Sequence, residues 1–274
     1  LVIQGETIVS NHIFGFSAIL AYLLATATAL FIPHANTLRR QTVLVLSLIA
    51  IILHALVLRQ SMIVSEGLNL GFFNAASLVS WVIALLLMLT LTSKPIESLI
   101  AVLFPLAALT IGLELLFHSE GVLISNAPFG VQIHIFYSIL AYSVLTISAL
   151  QAVFLAIQDY QLRHKRLGFV MRQLPALQLM ESLLFQMIGL GLLFLTLSLI
   201  SGFVFLQDIF AQHLVHKTAL SIAAWWLFAI LLWGHWQYGW RGRIVIRWHL
   251  LGFFILMLAY FGSKLVLEFI LHRT

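Results

Sequence analysis

Cysteine is missing from this 274-residue chain. Disulfides, thiolate metal sites and any group attached through a C-x-x-C-H motif are thereby excluded. Charge is scarce as well, with Asp, Glu, Lys and Arg at only 8% of residues. A soluble domain carries roughly a quarter, so this chain lacks the charge to cover a water-facing surface. No H-E-x-x-H motif occurs, which removes the commonest helical zinc site. Neither a positively charged leader nor a cleavage site is visible. The chain opens on Leu1 rather than Met, so a longer natural N-terminus is expected, and Val9–Ile32 reads as a spanning helix.

What remains is apolar: 62% of residues are hydrophobic and the mean hydropathy is +1.08. Apolar stretches of about 20 residues, the span of a bilayer core, recur along the whole length. They predict an all-α integral membrane protein, a bundle of about eight transmembrane helices forming one domain over 1–274. The expected spans are 8–32, 41–59, 72–92, 96–117, 131–157, 184–206, 217–238 and 244–270. Pro33, Pro95 and Pro128 punctuate the gaps, while Pro105 lies inside the fourth span and predicts a kink. No internal repeat is evident.

Basic residues orient the bundle. Arg39, Arg40, Lys94, Arg163, Lys165, Arg166, Arg172, Arg241, Arg243 and Arg247 fall on one side, against Arg59, Lys217 and Arg273 on the other. The richer side is expected to be cytoplasmic, with both termini outside. This placement in short loops also explains the net charge of +5 without nucleic acid. The one long loop, Gln158–Gln186, predicts a basic amphipathic helix on the cytoplasmic surface, interrupted at Pro175.

Eleven histidines are many for such a chain. On this map His12, His54, His118, His134, His213, His216 and His272 lie toward the outer face. His34, His164, His235 and His249 lie toward the inner one. Histidine near a helix end in a membrane serves as a haem ligand, a metal ligand or a proton relay. Haem b fits best, being apolar over most of its area and needing only axial imidazoles and cations for its propionates. His213 and His216 form an i, i+3 pair without a third ligand, and His12, His118 and His213 read as interfacial residues.

His134 and His272 stand apart through their neighbours. His134 opens the fifth span with Ser138, Ala141 and Tyr142 along nearly one face. Lys264 and Glu268 precede His272 at steps of four; burying both is costly, so they are expected to face the interior, paired with each other or with a propionate. Asn74, Ser77 and Trp81 form a polar stripe on the third span, and Lys217, Ser221, Ala224 and Trp225 one on the seventh. Such stripes also serve plain helix packing. Trp233, Trp236, Tyr238, Trp240 and Trp248 read as an aromatic belt.

Gly202–Thr274 resembles the C-terminal half of the CcsA/CcmC-type cytochrome c assembly proteins. Ala224-Trp225, Leu232–His235, Gly239-Trp240-Arg241-Gly242-Arg243, Gly252-Phe253, Tyr260-Phe261-Gly262 and Leu271-His272 follow in that family's order. Upstream, Leu68-Asn69-Leu70, Ala76–Trp81 and the run from His134 to Ala141-Tyr142 extend the likeness. His216-Lys217-Thr218 and Ser221–Trp225 point within the family to the YpjD/HemX-like subgroup. The resemblance implies a haem-handling protein of the bacterial inner membrane, with His134 and His272 as the outer-face histidines that present non-covalent haem b. His54 and His235 match further histidines of the family and are candidate additional ligands. Lys217, Lys264 and Arg59 are then the cations for the propionates, and Trp81 and Tyr142 the aromatic lining. One departure matters: the family's tryptophan-rich segment belongs between Gly202 and Lys217, where this chain has no tryptophan. That loss counts against the ligation of haem to an apocytochrome and leaves haem binding open.

Three function classes follow. The leading one is haem binding or delivery rather than independent catalysis, with lipid and a haem acceptor or another membrane protein as partners. The second is a cofactor-free scaffold or regulatory subunit that keeps the fold. A transporter ranks last, since inverted repeats and paired broken helices are missing.

Overall fold

The computed structural model describes residues 2–32, 37–64, 67–91, 97–117, 123–124, 128–164, 175–205 and 212–262. Within hydrocarbon every backbone amide must find its partner in the chain itself, which is why the apolar stretches become helices. Among the described residues there are eight: α1 Val2–Phe31, α2 Thr37–Met62, α3 Phe72–Leu91, α4 Ile100–Leu116, α5 Phe129–Arg163, α6 Leu177–Phe205, α7 Gln212–Tyr238 and α8 Arg243–Met257. Each coincides with one expected span, and seven are long and apolar enough to cross a membrane. The eighth, α4, has 17 residues, is preceded by a 3₁₀ turn at Glu97–Leu99, and runs unbroken through Pro105. Hydroxyls along the helices are absorbed locally: Thr26, Ser47, Thr146 and Thr196 each donate to the carbonyl four residues back.

The chain divides into two compact units, 1–126 and 127–273. In the first, α1 packs along α2 and α4, and α3 packs on α2 and α4. Arg39 donates to the carbonyl of Ala29 at 2.6 Å and Arg40 to that of Leu91 at 3.0 Å, so two guanidinium groups cap the C-terminal ends of α1 and α3. At the opposite end lies a small antiparallel sheet that the hydropathy pattern did not announce, ordered β1 (Ile63–Val64), β2 (Gly67–Asn69), β3 (Leu123–Ile124). Ile63 pairs with Leu68, and Leu68 with Ile124. Gly67 turns the first pair with φ +137°.

In the second unit α5 packs along α6, and α8 joins α5 and α7. Gly239 and Gly242 adopt φ +65° and +63° in the short turn from α7 to α8, a region that side chains with a Cβ rarely enter. α5 continues six residues past its expected end and α6 begins seven before its expected start (163 against 157, 177 against 184). The loop expected at 158–186 therefore narrows. Residues 165–174, the centre of the expected amphipathic helix, lie outside the described residues. The ends that protrude are tied by polar contacts: Asp159 accepts from Arg163 at 3.0 Å and Arg243 at 2.8 Å, and Gln158 donates to the Pro175 carbonyl at 2.9 Å. Glu181 accepts from the Gly242 amide at 2.7 Å, at the N-cap of α8. α8 ends in a π turn, Leu258–Gly262.

Candidate functional site

His134 sits in the second turn of α5, half-buried. Its Nδ1 lies 2.8 Å from the Ser198 carbonyl on α6. A carbonyl can only accept, so Nδ1 carries a proton, and in the neutral imidazole Nε2 then holds the lone pair. Nε2 has no hydrogen-bond partner among the described residues. A backbone carbonyl that fixes one nitrogen and leaves the other basic is the usual support of a metal-ligating imidazole. Ser138, one turn on, donates to the His134 carbonyl at 2.7 Å and meets Ser198 Oγ at 2.7 Å, which holds that stretch of α5 against α6.

Tyr142 continues the same face, eight residues and about 12 Å further along α5. Its ring lies 6.2 Å from Phe253, 5.9 Å from Tyr260 and 5.4 Å from Phe261, forming an aromatic cluster between α5 and the end of α8. Its hydroxyl donates to the Leu256 carbonyl at 3.2 Å. There the α-helix gives way to the π turn, which loosens main-chain carbonyls from their regular partners, and the phenol meets one of them. In sequence this cluster directly precedes Lys264 and His272, which with Glu268 lie outside the described residues. Lys217, in the second turn of α7, is half-buried, and Trp225 two turns on donates to Thr196 Oγ1 of α6 at 2.8 Å.

His235, at the far end of α7, repeats the arrangement of His134. Its Nδ1 is 2.9 Å from the Trp240 carbonyl, and its ring stacks on Phe185 at 3.5 Å. The remaining expected residues belong to the first unit. His54 is fully buried on α2, with Nε2 2.9 Å from Ser77 Oγ and Nδ1 3.3 Å from the Tyr22 hydroxyl. Trp81 donates its indole N–H to the Ile51 carbonyl at 2.9 Å, stitching α3 to α2. Arg59, in the last turn of α2, is exposed. The sequence matches the family described as "Cytochrome C assembly protein" over residues 42–271.

The chain belongs to the cytochrome c assembly protein family. It is 33% identical over 263 residues to the "Inner membrane protein YpjD" of Escherichia coli K12, covering 94% of this chain and 99% of that one. The protein of the same name from Escherichia coli O157:H7 matches equally. An "Uncharacterized 28.8 kDa protein in nifR3-like 5'region" of Azospirillum brasilense is 31% identical over 143 residues, 52% of this chain and 53% of its own. No solved structure gives a significant match. This member of the family is thus a multi-pass protein of the bacterial inner membrane.

Several polar residues of this family member gave no signal through histidine spacing. Ser198 supports His134 through its main chain, which side-chain pattern cannot reveal. His249 is fully buried on α8, with Nε2 3.0 Å from Ser148 Oγ and Nδ1 without a partner among the described residues. Glu114 was detectable: a carboxylate inside a spanning segment is rare enough to mark on sight. Among the described residues no cluster of three or more His, Asp or Glu could hold a bare metal ion.

Proposed function

We propose that the protein binds haem b non-covalently at the outer face of the inner membrane, as a haem-handling member of its family rather than an independent catalyst. The observation that carries this reading is His134, whose Nδ1–H is committed to the Ser198 carbonyl while Nε2 has no hydrogen-bond partner among the described residues. The chemistry of the residues present fits haem: an imidazole whose Nδ1–H is held by a carbonyl, and further along α5 an aromatic cluster of Tyr142 with Phe253 of α8 and Tyr260 and Phe261 of its π turn. Haem would supply iron for axial ligation and, once presented, a group to hand to an acceptor. The chain's own part is to fix the imidazole, exclude water with the aromatic cluster, and neutralise propionates with Lys217 and Lys264. His272 is the proposed second axial ligand.

The test is an absorption spectrum of the purified protein reconstituted with haem. A Soret band is expected in the wild type, and His134→Ala and His272→Ala are each expected to weaken or shift it. A wild-type protein that folds and shows no Soret band supports the scaffold reading instead.

A further inference from the structure

Glu114 lies near the C-terminal end of α4, only 5% exposed, in an otherwise apolar helix. Its Oε1 accepts a hydrogen bond from Ser61 Oγ on α2. Its Oε2 has no partner, and Ser77 on α3 stands beside the carboxyl. Ser77 Oγ in turn lies 2.9 Å from His54 Nε2, whose Nδ1 lies 3.3 Å from the Tyr22 hydroxyl of α1. Four helices thus contribute one buried line of groups: carboxyl, hydroxyl, imidazole, phenol.

Among the described residues the ionisable groups near Glu114 are few. α1 supplies Tyr22 and, toward its N-terminal end, Asn11, whose buried Oδ1 also lacks a partner among the described residues. α2 supplies His54, while its Arg59 is exposed; α3 supplies Asn74, Ser77 and Ser80, none of which ionises. Among the described residues no Lys, Arg or His forms an ion pair with Glu114. A buried carboxylate without a cation is costly. What the site lacks is a donor, and a proton on Oε2 supplies one, with Ser77 Oγ in place to accept it.

We propose that Glu114 is a proton-binding site whose occupancy sets the direction of the hydrogen-bonded line from Ser77 to Tyr22. With the proton bound, the Oε2–H group donates to Ser77 Oγ, Ser77 donates to His54 Nε2, and Nδ1–H faces the Tyr22 oxygen. With the proton released, Tyr22 donates to Nδ1, Nε2–H donates to Ser77, and Ser77 donates to the carboxylate. Each proton moves one place along the line, from Glu114 to Ser77, from Ser77 to Nε2 and from Nδ1 to the Tyr22 oxygen, and the proton lost is the former Tyr22 hydroxyl proton; Glu114 ends as the carboxylate and the imidazole stays neutral and exchanges tautomers. Ser77, with one donor and two acceptor positions, can serve both arrangements.

Infrared spectroscopy of the full chain in phosphatidylcholine nanodiscs at neutral pH tests this. The expected result is the carbonyl stretch of a protonated carboxyl, absent in Glu114→Gln. It moves to higher frequency in Ser77→Ala, where its acceptor is gone, and returns to the wild-type position in Ser77→Thr. Should Glu114→Gln fail to fold, the shift in Ser77→Ala assigns the band on its own. Absence of the band in the wild type overturns the proposal. So does a band indifferent to Ser77→Ala, or one that appears only when sodium is replaced by choline, which would make the ligand a metal cation.

Discussion

Arg39 and Arg40 carry two messages at once. As charges they belong to the basic side of the chain; as side chains they cap helices. Arg39 is 4% exposed and bonds the Ala29 carbonyl, while Arg40 is exposed and reaches the Leu91 carbonyl. The four last carbonyls of a helix have no partner within it, and a guanidinium at that end satisfies the bond and the helix dipole together. Replacing Arg39 by Leu keeps the volume roughly but strands a carbonyl in a buried position. Arg39→Leu is expected to cost about 1–3 kcal/mol of stability. Arg40→Leu, whose position admits water to its carbonyl, should cost less. Thermal or denaturant unfolding of both variants in detergent checks the order; equal losses would mean that both arginines act through charge alone.

Among the elements, α5, α6 and α8 are fastened by two unlike contacts. Asp159 with Arg163 and Arg243 is a largely solvent-facing pair, the arginine side chains being 59% and 49% exposed. Exposed ion pairs contribute about 0–1 kcal/mol. Glu181 instead takes the free amide at the start of α8, a charge-assisted bond worth about 1.5–3 kcal/mol. Glu181→Gln is therefore expected to destabilise the protein more than Arg163→Ala, and only the latter's effect should fade in high salt, both read from unfolding midpoints. These ties also show where sequence reading stopped. The eight helices were legible because a lipid-spanning stretch of about 20 apolar residues has no other use. Their protruding ends were not, since Gln158, Asp159 and Glu181 look like loop residues until their partners, 17, 84 and 61 positions away, are known. The β1–β3 sheet was missed for the same reason, its two- and three-residue strands being too short to show a period. At the candidate site the face His134-Ser138-Tyr142 was legible from helical spacing, whereas the partner that fixes His134 is a main-chain carbonyl and leaves no trace in side-chain pattern.

For the molecule as a whole, sidedness in the membrane turns on α4. With 17 residues it falls short of the other seven, α8 being counted with its π turn, and if it failed to cross, every later segment would change sides. Its α-helical part rises about 26 Å at 1.5 Å per residue. The Glu97–Leu99 turn adds about 6 Å at 2.0 Å per residue, giving about 32 Å in line with it. The hydrocarbon core is about 30 Å thick, so α4 with its leading turn suffices. Charge agrees: ten basic residues stand against three, and still eight against three if capping Arg39 and Arg40 are set aside (10 − 2 = 8). Reporter fusions placed after Arg40, Lys165 and Arg243 are therefore all expected to report cytoplasm. A non-spanning α4 has a distinct signature, with Arg40 on one side and both Lys165 and Arg243 on the other. Uniform periplasmic signals would instead keep the eight crossings and reverse the orientation, moving His134 and the proposed haem site to the cytoplasmic face. The three fusions thus separate the count of spans from their direction, and the direction decides on which face of the membrane the proposed haem site lies.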